Sequence, residues 1–330
     1  MSNLERDPRE LASGGVATVS REPVRLDLAA REVPLGGVRS IVVRRTLPHR
    51  DRRTIGAWCF VDDYGPTVPG TGMVVPPHPH TGLQTVTWLL DGEVHHQDSV
   101  GSDQAVRPGA LSLMTAGRGI AHAETSPPLA AGDRGMRGLQ LWVALPEDAR
   151  HGAPHFEHHD DLPRLADRAL RATVIVGSIG GVSSPAHAYT PLLGAEVSLS
   201  AGGAGALPLD PGHEHGVLAL DPGVSVDGAA LPAATLRYLG CGRDHLDLAA
   251  TGSAARLLLL GGAPFEEELL MWWNFVGRAH DEIVGFRDEW EAGRDSGGSR
   301  FGRVDGYAGP ALPAPPLPGT RLLPRPFSRG

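Results

Sequence analysis

Two short spacings carry the chemistry of this 330-residue chain, His78-Pro79-His80 and His122-Ala123-Glu124. Residues two apart on a β-strand share a face, so each pair projects its ligating groups together while Pro79 and Ala123 face away. The stretch from His80 to His122 is long enough for a hairpin and a return strand. A small closed barrel would therefore bring both pairs to one interior point. Three imidazoles and one carboxylate form a mixed nitrogen and oxygen donor set for a single divalent ion, with up to two octahedral positions left for substrate or dioxygen. Iron(II) suits these donors best; manganese, nickel, copper or zinc could occupy the same ligands. A closed structural zinc site would more often use thiolates.

A second constellation, His213, Glu214 and His215 followed by His245 and Asp247, imitates the first on spacing alone. Its two halves lie closer together, and no AGRG-type turn introduces His245 as one introduces His122. No metal is expected there. His151, His155, His158 and His159 fall in a polar, proline-punctuated stretch expected to be a solvated connection between domains.

The elements that must position these residues are strands. Gly 44, Pro 29 and only 5% aromatics suit many short strands and tight turns. Residues 72–145 and 172–262 repeat short apolar runs separated by turns such as DG, RPG, DPG and VDG, which gives an all-β fold in two modules. PPHPHTGLQTVTWLLDGEV and DPGHEHGVLALDPGVSVDG look like two copies of one unit. The expected organisation is a flexible lead-in over 1–25, a metal-binding domain over 26–150, a second domain over 151–295 and a Pro/Gly-rich tail over 296–330. In GRAHDEIVGFRDEWEAG, Ile283, Val284, Phe286 and Trp290 predict a short amphipathic helix stopped near Gly293. The tail should be extended and lie against the body.

Composition excludes several functions. The net charge of −8 disfavours a nucleic-acid footprint, and all 30 basic residues are arginine. Cys59 and Cys241 are too few and too far apart for a disulfide framework, which suits a reducing compartment. The start of the chain is polar, and its longest apolar run is too short for a bilayer, so a cytoplasmic monomer without membrane contact is expected.

HPHTGLQTVTWLLDGEVHHQDSVGS followed by RPGALSLMTAGRGIAHAE resembles the signature of the pirin family within the cupin superfamily. VRRTLPHRDRRTIGAWCFVDDYGP and LLLLGGAPFEEELLMWWNFVGRAHDEIVGFRDEW are similar to that family's opening and closing segments, so the likeness covers about residues 36–295. It implies two tandem cupin barrels of jelly-roll type, with His78, His80, His122 and Glu124 as the four ligands of one iron in the first. It also implies a choice of functions. One is a dioxygenase that opens a flavonol such as quercetin or a similar enol, with Glu124 as the candidate base. The other is an iron-dependent regulator that binds a protein without turnover. The chain departs from the family in carrying Thr81 and Gln84 where Arg and Glu are common. Strand parity continued from His80 would turn Gln84, Val86 and Trp88 inward, so that Gln84 would alter the pocket's charge. Arg118, in the AGRG turn, could attract an anion or pair with a nearby carboxylate.

Overall fold

The long central strands, such as Trp58–Tyr64, Leu83–Asp91 and Arg137–Ala144, are buried along nearly their whole length, and the computed structural model assembles the strands into two stacked barrels. It describes residues 24–35, 41–67, 72–127 and 135–323, with the backbone of 11–13. Each barrel has a large sheet and a four-stranded one. In the first, His155–His159, Leu111–Thr115, Leu83–Asp91, Arg137–Ala144, Trp58–Tyr64, Ile41–Leu47 and Arg31–Leu35 lie side by side. Opposite them run Val74–His80, Ile120–Thr125, Val94–Asp98 and Asp103–Val106. In the second, the small sheet is Ala204–Pro208, His245–Ala250, Val224–Val226 and Ala229–Leu231, the same order of pairing.

The two large sheets pack back to back. Val86, Trp88 and Leu141 of the first meet Leu218, Leu258 and Leu260 of the second in one apolar cluster, and removal of this surface from water holds the modules together. Several polar groups caught in the seam are partnered. The Trp88 indole donates to Glu196 Oε2 at 2.6 Å, and that of Trp58 donates to the Leu193 carbonyl at 3.0 Å. Glu214 accepts from Gly56 N and the Tyr238 hydroxyl and pairs with Arg52.

Two strands and the C-terminal segment cross the boundary expected at 150/151. Leu26–Ala29 pairs with Thr235–Gly240 of the second barrel. His155–His159, expected to be a solvated linker, is a strand whose Phe156 and His158 stand opposite Met114 and Ser112. All five of its residues are half-buried, and Glu157 accepts from the His187 amide at 3.2 Å. The segment after Leu269 crosses back to the first barrel. Its helix, His280–Gly293, buries Ile283, Phe286 and Trp290 as predicted. Glu282 accepts from the Arg278 and Ala279 amides at 2.6 and 3.3 Å, satisfying donors at the helix start. The tail follows without regular structure, and Phe301, Val304, Ala311 and Ala314 are buried with the helix.

The apparent repeat of the HxH motif is not a structural one. His78 and His80 end a strand of the small sheet, whereas His215 lies in Glu214–Ala219 of the large sheet. A proline turn before each was the shared signal, and the turns lead into different strands.

Candidate metal centre

Pro76 and Pro77 explain how the first motif is held. Neither can donate to the ladder, and the register with the neighbouring strand slips here, His122 standing opposite His78 but Glu124 opposite Val75. The bulge leaves the Pro76 carbonyl 2.8 Å from His78 Nδ1. His80 Nδ1 is 3.1 Å from the Asn274 carbonyl, supplied by the returning C-terminal segment. A proton on Nδ1 donated to a carbonyl leaves the lone pair of each ring on Nε2, the tautomer a metal needs.

The strand Ile120–Thr125 shows its alternation plainly. Ala121 and Ala123 face outward beneath Trp272, Phe275 and Phe301, which turns His122 and Glu124 into the barrel. All four expected residues are buried, none more than 1% exposed. The ring of His122 lies 4.3 Å from that of His78 and 5.1 Å from that of His80, centre to centre. Burial pushes the His78 imidazole down to about 4 and holds those of His80 and His122 well below their usual value. Neutral rings with fixed lone pairs are what cation binding requires.

The same parity argument, applied to Val94–Asp98, finds two residues that motif reading passed over. His96 and Asp98 alternate with His95 and Gln97 and are buried. His96 Nε2 donates to Asp98 Oδ2 at 3.1 Å, so its Nδ1 is the acceptor for His122 Nδ1, 3.4 Å away. The Asp98–His96–His122 chain thus fixes the His122 tautomer from behind. Phe156 stacks on His96 at 4.4 Å. Ligand atoms lie within 4.8 Å of one another in two overlapping triads, His78–His80–His122 and His96–His122–Glu124; with both nitrogens of His96 in hydrogen bonds, the second offers an ion His122 and Glu124.

Facing this sheet, Trp142 presents its edge to His80 at 5.3 Å and stacks on Phe60 at 4.0 Å. Arg45 lies over Phe60 and is bound to Asp62 through both oxygens, at 2.7 and 2.8 Å. Thr87 donates to Gln140 at 3.2 Å. The inward residues of Leu83–Asp91 are therefore Thr85 and Thr87. Gln84, Val86 and Trp88 point the other way, against the second module, and Gln84 Nε2 donates to the His187 carbonyl and Thr115 Oγ1, both at 3.0 Å. The parity expected from His80 fails because Gly82, at φ 67°, switches the chain between sheets. Arg118 is exposed at its turn.

The second constellation is not assembled. His245 and Asp247 are exposed while Leu246 and Leu248 face inward. His213 and His215 lie at the barrel's mouth, and no further cluster of three metal-ligating groups occurs among the described residues.

Comparison with known proteins agrees with this architecture. The Pirin family model matches residues 40–143 and the Pirin C-terminal cupin domain model matches 194–296. A pirin-like protein of Caulobacter vibrioides is 35% identical over 80% of this chain and 92% of its own. The chain belongs to the pirin family. A Pseudomonas aeruginosa pirin relative, described as a "putative quercetin 2,3-dioxygenase", is 45% identical over 96% of this chain and 98% of its own. The crystal structure of an Acinetobacter baumannii quercetin 2,3-dioxygenase is 40% identical, with a TM-score of 0.82 over 90% of this chain and 96% of that one. The pirin bicupin accounts for the paired sheets and the C-terminal helix described above. No helix among the described residues is long and apolar enough to cross a membrane.

Proposed function

We propose that His78, His80, His122 and Glu124 hold one divalent ion, iron(II), and that the chain is a dioxygenase of the quercetin 2,3-dioxygenase type acting on a flavonol or similar enol. This reading is supported by three buried imidazoles, His78, His80 and His122, whose ligand atoms lie within 4.8 Å of one another, and by the buried Glu124 on the same strand as His122. The donor set fits the ion, since buried lone pairs on Nε2 and one anionic oxygen suit a borderline divalent metal. When bound, the ion would supply Lewis-acid and redox chemistry, with open positions for substrate and dioxygen.

The chain's own residues do the rest. The Pro76 and Asn274 carbonyls and the His96–Asp98 pair orient the imidazoles before any ligand arrives. Glu124 takes the proton of the enol hydroxyl at a carboxylate oxygen, which a buried site keeps from exchanging freely with water. Trp142 and Phe60 stack as an apolar wall beside His80, bordered by the Arg45–Asp62 and Thr87–Gln140 pairs, and in this reading the wall would take the planar ring of the substrate. The names of the relatives support the same substrate class.

Metal analysis of the purified chain, followed by aerobic incubation of the iron-loaded protein with quercetin, tests the proposal. Loss of flavonol absorbance in wild type but not in Glu124→Gln is the expected result. A fully loaded protein inert toward quercetin and other enols would leave the protein-binding regulator as the better account.

A further inference from the structure

The second barrel's interior is lined by Leu207, Val217, Val224, Val226, Leu246 and Leu248, with one polar exception at its mouth. His215 lies on the same strand face as Val217 and Ala219 and has no exposed surface. Neither Nδ1 nor Nε2 finds a hydrogen-bond partner. The ring rests against Gly261, where a Cβ would come within 2.8 Å of it, so the opposite strand offers it no side chain. Above it opens a cleft of about 460 Å³, walled by Ile179, Leu193, Pro208 and Leu209, with His213 and Asp210 at the rim. An imidazole without a partner in apolar surroundings is destabilising, a penalty that a molecule bringing its own hydrogen-bonding group would relieve.

We propose that this cleft is a second small-molecule site, independent of the metal centre, which takes an uncharged phenol with its hydroxyl donated to His215. The walls select an apolar ring, and the single buried acceptor selects one hydroxyl. Burial pushes His215 down to about 4, so the ring is neutral near pH 7 and offers a lone pair to accept a hydroxyl proton. The volume admits a single substituted ring comfortably.

The full-length, metal-loaded chain labelled with nitrogen-15 should be titrated with p-cresol and, separately, with toluene, which has the shape without the hydroxyl. p-Cresol should shift the His215 ring nitrogens saturably, and toluene should bind roughly tenfold more weakly, the worth of one buried hydrogen bond. His215→Phe should reduce p-cresol affinity to that of toluene, and His122→Ala, in the other barrel, should leave it unchanged. Unperturbed His215 nitrogens, equal affinity for both probes, or a tightly held water that p-cresol does not displace would each overturn the proposal. Should His215→Phe not fold, the wild-type ring shifts and the p-cresol/toluene ratio decide alone.

Discussion

In the first barrel the strand Ile120–Thr125 turns His122 and Glu124 inward; in the second, His245–Ala250 occupies the corresponding place and turns Leu246, Leu248 and Ala250 inward. One architecture thus carries a polar interior and an apolar one. The difference shows where function resides, since the strand order is common to both and the inward row of side chains is not. Burying three imidazoles and a carboxylate opposes folding, and the first barrel compensates through the C-terminal segment. That segment covers Ala121 and Ala123, the backs of the ligand positions, with Trp272, Phe275 and Phe301, and supplies the Asn274 carbonyl to His80.

The sharpest way to break the comparison is to make matched truncations in both barrels. His122→Ala should lower metal affinity by on the order of 100-fold or more, because it removes a ligand shared by both candidate triads. Leu248→Ala should leave metal content unchanged but cost about 2–5 kcal/mol of stability as a cavity opens in a fully packed interior. Metal stoichiometry and urea unfolding, measured on both variants, separate the effects. Equal metal loss in the two would show that the centre depends on packing in the other barrel.

Asp98→Asn comes next. The amide keeps the size of Asp98 but loses the charge that holds the proton on His96 Nε2, and with it the orientation of His122. Metal affinity should fall by about 10- to 100-fold, measured by competition with a chelator. An unchanged affinity would show that His96 plays no part in fixing the ligand.

How much of this was legible in the sequence depends on the distance over which each signal acts. The HxH and HxE pairs needed only the alternation of a strand, and the helix only the spacing of Ile283, Phe286 and Trp290. His96 and Asp98 obey the same alternation but sit in a run of polar residues, HHQD, with no motif to single them out. The orientation of Gln84 was lost because parity cannot be carried through Thr81–Gly82, where the backbone changes sheets. The pairing of Leu26–Ala29 with the second barrel, and the return of Asn274 to His80, depend on contacts across about 200 residues, which local patterning does not encode.

Gln84→Glu tests that corrected orientation. The carboxyl could still accept from the Thr115 hydroxyl but would face the His187 carbonyl, which can give it no proton, so the variant should lose about 1–2 kcal/mol of stability. Metal affinity and activity should stay as they are, because the side chain lies outside the barrel. A changed substrate preference would place residue 84 back among the residues lining the site.

The smallest effect lies in the second barrel and runs with pH. His215 is pushed down to about 4 in the folded chain, against 6.5 for the free side chain, so the unfolded state takes up a proton first as pH falls. Its contribution to stability is therefore complete above pH 6.5 and is lost progressively toward pH 4. Near pH 6 the loss amounts to about 1 kcal/mol. His215→Leu should remove this component and flatten the stability profile between those limits while leaving the steeper acid sensitivity of the first barrel, where His78, His80 and His122 are all held neutral by burial. Urea unfolding of the metal-free chain at pH 7 and pH 6 measures the difference. An identical pH dependence in wild type and variant would mean that His215 is already protonated or solvated in the folded barrel.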